Sequence, residues 1–289
     1  MSSSDDNGSR IQEVKIIAPI NIALVKYWGK RNEDLMLPLN DSISLSVNDV
    51  CAKTIVRVGP SIKKDSVTIN GSTVCFSKHP GFLRCFRIVS EISFPVQAGL
   101  ASSAAGFAAI AYGLGQIYQL TTSDIVRIAR MGSGSACRSI LSGLVHWKAG
   151  AAEDGSDCIC ETVFPEDYWP NLRSLILVTS HDAKKVGSSN GMQSTVKTSK
   201  LLQARMDIVP KQIMKLKNAF RDRDFGKFAE VVMSDSGQLH ALCMDTMPSL
   251  RVPFQFLFQL FFKDDTRELG AKFVAIGRGA ELPNLESRL

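Results

Sequence analysis

Hydrophobic and polar residues alternate along several short stretches of the first half of the chain. The alternation is clearest at Ile43, Leu45 and Val47, which are separated by serines. A period of two places alternate side chains on one face of a strand, so this stretch predicts a half-buried β-strand. Residues 14–17 and 54–58 are rich in β-branched residues and predict two further strands.

A tight turn is predicted at Asn70-Gly71. Apolar runs at residues 67–69 and 73–76 flank this pair, and Asn-Gly supplies the positive φ angles that a type I′ turn requires. The pattern therefore predicts a β-hairpin. Residues 144–147 and 175–179 predict strands later in the chain.

Helical patterns occupy much of the rest of the chain. Residues 121–131 predict a helix capped by Thr122 or Ser123. Its predicted buried stripe consists of Ile125, Ile128 and Ala129. Residues 201–243 are mostly helical, and Pro210 suits the first turn of a new helix. The apolar face of that helix is predicted to consist of Ile213, Leu216, Ala219 and Phe220.

Strands with inserted helices dominate the first half, and helices dominate residues 200–245. This order predicts an α+β fold with two domains and a boundary near residue 180. The polar, Ser-rich residues 1–10 predict a disordered tail without the apolar core of a signal peptide.

The composition and the net charge indicate which classes of binding partner to expect. The 289 residues are 45% hydrophobic and 21% charged, with a formal net charge of +6. A mild basic excess suits anionic small ligands, although a solvated basic surface explains it equally well. The chain has no dense Lys/Arg stripe with interleaved aromatics, so nucleic acid is not expected as a partner. The apolar run at residues 254–262 is shorter than the ~20 residues that a membrane span needs.

The seven cysteines are scattered and include no C-x-x-C pair. Cys158 and Cys160 form a lone C-x-C, which is a weak metal signal without nearby partners. Free thiols in a reducing compartment are the simplest interpretation, so we expect a soluble cytoplasmic protein without a metal site of its own.

A segment of small residues at 95–106 leads into a predicted helix over residues 103–120. Glycine and alanine let the backbone approach a ligand, and a helix start capped by Ser102 or Ser103 offers unpaired N–H groups to a phosphate. The lysine of a P-loop is absent. A capped, tightly packed helix without a ligand is an equally good explanation of these residues taken alone.

Three other segments carry candidate chemistry. Residues 132–139 form a predicted loop dense in serines and glycines, with Arg138 as a planar fork for a carboxylate or phosphate. Residues 26–31 place three cations beside two large aromatics, and such charges need anionic partners if they are buried. Residues 187–192 form a predicted Gly/Ser turn. Each segment also has an explanation without function. These explanations are a polar surface loop for residues 132–139, a strand end with solvated lysines for residues 26–31 and an ordinary turn for residues 187–192.

Taken together, these segments resemble the mevalonate diphosphate decarboxylases, ATP-using members of the GHMP small-molecule kinase superfamily. The runs Lys-Tyr-Trp-Gly-Lys-Arg at residues 26–31 and Gly-Ser-Gly-Ser-Ala-Cys-Arg at residues 132–138 are specific to that family. Residues 98–106 are similar to its phosphate loop, and Gly191-Met192 also matches. The resemblance covers residues 14–246 with one gap.

The resemblance implies a fold of the GHMP kinase type. It implies a ribosomal protein S5-like N-terminal domain over residues 11–180 that binds ATP and substrate. An incomplete ferredoxin-like C-terminal domain is implied over residues 181–248, followed by a divergent tail at 249–289.

The implied reaction is a step of isoprenoid and sterol biosynthesis. ATP phosphorylates the tertiary 3-hydroxyl of mevalonate 5-diphosphate, the phosphate leaves with loss of CO2, and isopentenyl diphosphate forms. Mg²⁺ would neutralise phosphoryl charge, and a homodimer is implied.

The resemblance also implies roles for individual residues. The implied catalytic residues are Lys26, Ser135 and Arg138, with Arg138 on the departing carboxylate. The implied substrate contacts are Tyr27, Trp28, Gly29, Lys30, Ser133, Gly134, Ser135, Ala136, Cys137, Arg138 and Ser189, with Tyr27, Lys30 and Ser189 near the diphosphate. The implied contacts to ATP are Ala98, Gly99, Leu100, Ala101, Ser102, Ser103, Ala104, Ala105 and Gly106.

The sequence departs from the family in two places. A substrate-binding arginine is expected near Gly81, and only a shift in alignment would let Arg84 or Arg87 replace it. The family's catalytic aspartate lies in an Asp-Ala-Gly-Pro-Asn motif that these 289 residues do not contain. Residues 249–289 therefore resemble the product of alternative splicing or of an error in gene prediction. We also expect the phenylalanine-rich run at residues 254–262 to lack a surface to pack on.

Three functions compete at this point. The first is decarboxylation of mevalonate 5-diphosphate, with little turnover by this chain. The second is a catalytically inactive relative or truncated isoform that binds nucleotide or diphosphate. The third is a GHMP kinase with another substrate, which the two family-specific runs argue against.

Overall fold

We analysed a computed structural model, which describes residues 11–74, 86–92, 102–176, 186–250, 259–262, 273–275 and 280–281. The described strands are β1 (Gln12–Val25), β2 (Lys30–Asn32), β3 (Leu37–Pro38), β4 (Ser42–Val58), β5 (Ser66–Ile69), β6 (Ser72–Val74), β7 (Phe86–Ile92), β8 (Leu144–Trp147), β9 (Cys160–Phe164), β10 (Arg173–Ile176), β11 (Gln259–Phe262) and β12 (Phe273–Ala275). The described α-helices are α1 (Ser102–Ile117), α2 (Thr122–Gly132), α3 (Ser188–Thr198), α4 (Leu202–Arg221) and α5 (Phe225–Asp245).

A seven-stranded mixed sheet forms the centre of the molecule. Its order is β6-β5-β7-β4-β8-β9, and β1 pairs antiparallel with β4. The two strands predicted at residues 43–47 and 54–58 are parts of the single strand β4. A bulge accommodates the residues between them, because Pro19 pairs with Cys51 and the next residue, Ile20, pairs with Val47.

The predicted hairpin is confirmed. Strands β5 and β6 pair antiparallel, and Asn70 and Gly71 have φ angles of 47° and 79°. Both central residues thus occupy the left-handed region that a type I′ turn requires. Strand β8 has the predicted bounds. Strand β10 begins two residues before the strand predicted at 175–179 and includes its first two residues, while residues 177–179 lie outside the described part.

The predicted starts of the first two helices were shifted by one or two positions. Helix α1 already includes Ser102, so its cap position falls on residue 101, outside the described residues. Thr121 caps α2, because its side-chain oxygen accepts a hydrogen bond from the Asp124 N–H. Several Ser and Thr residues precede that helix, and only the backbone geometry selects among them.

The predicted stripe of α2 is wrong at one residue. Ile128 is 39% exposed. The buried residues of α2 are Ile125, Val126, Ala129 and Arg130. The prediction for Pro210 is also wrong, because this proline lies in the interior of α4 instead of in a first turn. A proline costs a helix one hydrogen bond. Here the apolar residues on both sides of it, Val209 and Ile213, are buried as one continuous face.

Two apolar clusters hold the helices on the sheet. In the first, alanines of α1 and the buried residues of α2 pack on Ile16, Ala18 and Val56. In the second, α4 and α5 pack on Ile20, Ile22 and other residues of β1 and β4. Helices from the second half of the chain therefore share a core with strands from the first half. No helix in the described part of the chain is long and apolar enough to cross a membrane.

A second sheet has the order β11-β10-β12, and both of its outer strands come from residues 249–289. In addition, Ile17 and Glu281 exchange two main-chain hydrogen bonds of 2.8 Å, and the Ala280 N–H donates to the Ser139 carbonyl. Residues 259–262, which we expected to lack a surface to pack on, therefore have a hydrogen-bonded strand neighbour. Residues 254–258 lie outside the described part.

Deleting residues 249–289 should strongly reduce the yield of soluble protein. The deletion removes both hydrogen-bonded neighbours of β10, and each lost backbone hydrogen bond contributes about 0.5–1.5 kcal/mol. The summed loss is a large share of the ~5–15 kcal/mol that stabilises a typical domain. Soluble yield and thermal denaturation measure it, with deletion of residues 282–289 alone as the control. Equal melting temperatures for the full and the shortened chain would contradict the pairing.

Candidate active site

The chain leaves the sheet after β1, and residues 26–29 belong to no strand or helix. Buried Asn40 holds them, because its side chain donates to the Lys26 carbonyl over 3.1 Å and accepts from the Trp28 N–H over 3.3 Å. The Lys26 ammonium donates to the Ala23 carbonyl over 2.7 Å. Burial lowers the pKa of Lys26, and the nearby charge of Asp235 opposes that shift.

Lys30 lies at the start of β2 with a nearly fully buried side chain. Its ammonium is 2.5 Å from the Glu33 carboxylate and 3.2 Å from the Ser189 hydroxyl. Ser189 is exposed in the first turn of α3, where Gly187 is the cap residue. The two residues predicted to bind diphosphate, 159 positions apart, therefore lie within hydrogen-bonding distance. The predicted turn at residues 187–192 is in fact mostly the start of a helix.

Tyr27 is in contact with the segment around Gly134. A side chain at Gly134 would lie 3.0 Å from the Tyr27 hydroxyl, so only glycine fits there without displacing the tyrosine. The Tyr27 ring packs edge-on against Trp147 at 4.9 Å. Burial raises the pKa of Tyr27 even though Arg138 lowers it. The hydroxyl therefore stays protonated at neutral pH and can donate to a ligand.

The Trp28 side chain is hydrogen-bonded to helix α3. Its indole N–H donates to the Thr195 hydroxyl over 3.0 Å, and that hydroxyl lies 2.8 Å from the hydroxyl of Thr246. Both threonines are fully buried, and neither was predicted from the sequence as a site residue. Gly191 lies against the Trp28 ring, where a side chain would be 3.5 Å away.

The serine- and glycine-rich segment at residues 134–139 is a 3-10 helix, not the predicted loop. Ser133 ends α2, and its carbonyl accepts from the Ala136 N–H over 2.7 Å. The Cys137 thiol donates to the Gly134 carbonyl over 3.0 Å. Hydrogen bonds between residues three positions apart are typical of a 3-10 helix. Ser133 and Ser135 are partly exposed at its start.

Asn21 organises this 3-10 helix. Its amide donates to the Ser135 carbonyl over 3.0 Å and to the Ser139 hydroxyl over 2.8 Å, and its carbonyl accepts from Arg138 Nε over 3.1 Å. Asn21 was missed as a site residue. The available signal was a lone amide within the apolar strand segment at residues 20–25, which predicts a buried polar contact.

Arg138 is 3% exposed, and its partners are neutral. It donates to Asn21 and, over 2.6 Å, to the Ser42 hydroxyl, and its guanidinium lies 5.4 Å from the centre of the Trp147 ring. Within the described residues it forms no salt bridge. Burial lowers the pKa of Arg138, which is the direction expected of a cation without a carboxylate partner. An anionic ligand would compensate this charge.

The first turn of α1 lies beside the same segment. The hydroxyls of Ser103 and Ser133 are 3.3 Å apart, while Ala104 and Ala105 are buried against the core. The predicted ATP residues Ala98 to Ala101 and the side chain of Ser102 lie outside the described part. The helix end predicted to bind phosphate and the segment predicted to bind substrate are therefore neighbours.

Asp245, an acid late in the sequence, and Arg87, a possible replacement for the expected arginine, lie in the described residues. Asp245 accepts hydrogen bonds from the Ser199 hydroxyl and from the N–H groups of Lys200 and Leu201, and these bonds lower its pKa. It thus holds the entry to α4. Arg87 is exposed on β7 opposite Arg57. Gly81, Arg84, Asp264, Asp265, Glu268 and Glu286 lie outside the described residues.

Five of the seven cysteines lie in the described residues. Cys137, Cys158, Cys160 and Cys243 are free thiols, Cys51 is buried, and Cys75 and Cys85 lie outside the described part. Among the described residues, no cluster of three His, Cys, Asp or Glu side chains forms a metal site.

Family models match most of the chain. Residues 18–160 match the diphosphomevalonate decarboxylase-like N-terminal domain, and residues 174–253 match the mevalonate 5-diphosphate decarboxylase C-terminal domain. The diphosphomevalonate decarboxylase of Candida albicans is 41% identical over 264 residues, which cover 81% of this chain and 73% of that protein. The chain belongs to the diphosphomevalonate decarboxylase family. The second match ends at residue 253, close to residue 248, where the resemblance was predicted to stop.

Two further relatives belong to the same family, and in each case the match covers only part of the relative's length. The diphosphomevalonate decarboxylase of Danio rerio is 42% identical, and the match covers 83% of this chain. The chain spans 66% of the length of that relative. The mevalonate diphosphate decarboxylase of Trypanosoma brucei superposes with a TM-score of 0.77 at 38% identity, covering 83% of this chain and 69% of that chain.

Bacterial family members extend the structural match. The Staphylococcus aureus mevalonate diphosphate decarboxylase has a TM-score of 0.82 at 26% identity, covering 95% of this chain and 99% of that chain. A structure of MDDEF in complex with MVAPP, AMPPCP and magnesium has a TM-score of 0.80 at 25% identity, covering 95% of this chain and 100% of that chain. These matches confirm the predicted GHMP kinase-type α+β fold.

Replacing Gly29 by alanine should destabilise the fold around the predicted substrate segment. Gly29 has a φ angle of +96°, and a Cβ atom there would lie 2.8 Å from the Leu39 side chain and 3.2 Å from that of Val196. Left-handed backbone costs other residues about 1–2 kcal/mol, and the crowding adds to this. Chemical denaturation measures the loss. Gly71→Ala is the control, because it has a positive φ angle but no atom within 4 Å. An equal loss in both variants would show that crowding at residue 29 has no effect.

Proposed function

We propose that this chain binds ATP and mevalonate 5-diphosphate at the site between α1, the 3-10 helix, residues 26–30 and α3. The single observation that carries this proposal is the buried Arg138, which has neutral partners and packs on Trp147, the same residue that the Tyr27 ring contacts. The reaction of the intact family would be ATP-dependent decarboxylation of mevalonate 5-diphosphate to isopentenyl diphosphate.

The proposed roles follow from charge and position. Lys30 and Ser189 would hold the diphosphate, because the ammonium of Lys30 and the hydroxyl of Ser189 converge at one place. Arg138 would bind the carboxylate, which a planar fork of donors suits. The N-terminal turn of α1, with Ser103 close to Ser133, would bind phosphates of ATP through its free N–H groups.

Tyr27 belongs to the same segment as Lys30, and its ring packs on Trp147, as does the guanidinium of Arg138. A protonated Tyr27 hydroxyl would donate to a ligand that is held by Lys30 and Arg138. Lys26 and Ser135 remain proposed active-site residues, with their main chains tied to Asn40 and Asn21.

Mg²⁺ is proposed to arrive with the nucleotide. Magnesium in kinase-like sites is usually bound by one or two carboxylates together with substrate phosphates. The described residues contain no cluster of three ligating side chains, so they do not form a metal site without the phosphates. When bound, the ion would neutralise phosphoryl charge. A homodimer, as implied by the family, also remains a proposal.

Turnover by this chain is proposed to be poor. A carboxylate within hydrogen-bond reach must orient or deprotonate the 3-hydroxyl group, and the printed sequence contains no Asp-Ala-Gly-Pro-Asn motif. Of the acids discussed, Asp245 holds the entry to α4 and Glu33 pairs with Lys30. A binding-only relative, which releases its ligands unchanged, is the second candidate.

Calorimetric titration of the purified chain with mevalonate 5-diphosphate tests the proposal. Binding of this ligand, but not of mevalonate at the same concentration, is the expected result, because Lys30 and Ser189 have no partner in the alcohol without its diphosphate. Equal binding of both would favour a kinase of another substrate. Lys30→Met should abolish the discrimination, and failure to bind either ligand would overturn the proposed function.

A further inference from the structure

A buried ion pair, Arg205 and Asp235, contacts the main chain of Lys26. Asp235 of α5 accepts from the Lys26 N–H over 2.9 Å through Oδ2. Arg205 of α4 donates to the Lys26 carbonyl over 2.7 Å through Nη2. The same Nη2 donates to Asp235 Oδ1 over 2.9 Å, which closes the triangle. Both peptide groups of Lys26 are thus held by side chains that lie 179 and 209 positions further along the chain.

The pair is deeply buried. Asp235 is 0% exposed and Arg205 is 3% exposed, while Nε of Arg205 has no hydrogen-bond partner within the described part of the structure. Gln238 accepts from Arg205 Nη1 over 3.4 Å. Burying two charges is costly, and an apolar pair of similar volume is often equally stable or more so. Stability therefore does not by itself explain why charged residues lie at this place.

The hydrogen bonds to Lys26 explain why charged residues lie at this place. Residues 26–29 have left the sheet, and the N–H and carbonyl of Lys26 are satisfied by side chains instead of by a neighbouring strand. An apolar pair could pack against Lys26 but could not accept from its N–H, which would be left as a buried unsatisfied donor. Asp235 also opposes the effect of burial on Lys26 by raising its pKa. The pair thus acts on both the backbone and the charge of the segment.

We propose that Arg205 and Asp235 are positioning residues for substrate binding. They fix the main chain of Lys26, and through it Tyr27 and Lys30, so that α4 and α5 determine the geometry of the diphosphate contacts. This inference rests on the proposed function, since it concerns the same site. It goes beyond that function because neither residue contacts the proposed ligand positions.

Three variants of the full chain test the role. Asp235→Asn leaves one amide hydrogen facing a donor, and Arg205→Lys keeps the charge but loses the planar fork. Ser234→Ala is the matched control, because it removes the 3.1 Å hydrogen bond between Gln212 of α4 and Ser234 of α5 without touching Lys26. The readouts are dissociation constants for mevalonate 5-diphosphate and for a non-hydrolysable ATP analogue. Amide hydrogen exchange of residues 25–31 is measured in the absence of ligand.

We expect Asp235→Asn to raise the dissociation constant of mevalonate 5-diphosphate at least about tenfold, with that of the ATP analogue changed by less than about twofold. Arg205→Lys should give an intermediate loss. Exchange of residues 25–31 should accelerate in both variants but not in Ser234→Ala. If Asp235→Asn does not fold, Arg205→Lys decides the question by the same readouts.

Two results would overturn the inference. One is unchanged exchange at residues 25–31 in a folded Asp235 or Arg205 variant. The other is an equal loss of affinity for both ligands, which a general loss of stability would cause. If the unmodified chain binds no mevalonate 5-diphosphate, the proposed function has failed instead, and the exchange measurement still decides whether the pair positions Lys26.

Discussion

The purified chain supplied with ATP, Mg²⁺ and mevalonate 5-diphosphate should release CO2 at least about 10²-fold more slowly than the ~10 s⁻¹ typical of enzymes. Loss of a general base costs about 10²–10⁴-fold in rate. The family motif that supplies the aspartate does not occur in this sequence. Ligand binding should survive better than chemistry, because Lys30, Arg138 and the α1 terminus remain in place. Release of CO2 from carboxyl-labelled substrate, alongside nucleotide binding, measures both.

A chimera is the matched control for this measurement. Residues 1–248 of this chain are joined to the corresponding C-terminal segment of a family member that contains Asp-Ala-Gly-Pro-Asn. If the missing carboxylate limits the rate, the chimera should recover turnover. Turnover by the unmodified chain within about tenfold of ~10 s⁻¹ would refute the proposal. Another acid would then have to serve as the base.

Arg138→Ala should lower kcat/KM of that chimera by about 2–4 kcal/mol in transition-state terms, the scale of a lost electrostatic stabiliser. Arg138 is buried among Asn21, Ser42 and Trp147, and it has no carboxylate partner among the described residues. Its charge is therefore available to the carboxylate that leaves as CO2. Steady-state rates with mevalonate 5-diphosphate measure the loss, and the affinity of the unmodified chain for the same ligand gives a second readout.

Arg130 offers a control of equal burial. It is 2% exposed and donates to the Cys158 carbonyl, and it has no place in the proposed site. Arg130→Ala should lower thermal stability without a selective loss of substrate affinity in the folded protein. If Arg138→Ala leaves kcat/KM nearly unchanged in a folded chimera, the proposed contact with the carboxylate is wrong.

Local patterns predicted the elements whose partners are close in sequence. The Asn70-Gly71 turn is an example, because two adjacent residues with positive φ determine the hairpin by themselves. The buried face of α4 is another, since a period of 3.6 is visible within one helix. The failures are also local. Pro210 was placed at a helix start because propensity favours that position, and packing on the sheet overrode it.

For the candidate site, too, the sequence predicted one part and not the other. Its chemical groups were identified from short runs of sequence, because the residues within each run keep their spacing in any fold. The hydrogen-bonding partners of those groups were not identified from the sequence. Arg138 meets Asn21 across 117 positions, and Lys26 meets Asp235 across 209.

The sequence by itself determined the family, the strand and helix periods and the residues that can carry charge. Only the tertiary structure decided that Arg138 has neutral partners, that Trp28 is held by Thr195, and that residues 259–262 belong to a sheet. The physical reason is that burial and hydrogen-bond pairing depend on contacts between distant segments. No local pattern records those contacts, and they form only when the sheet and helices pack together.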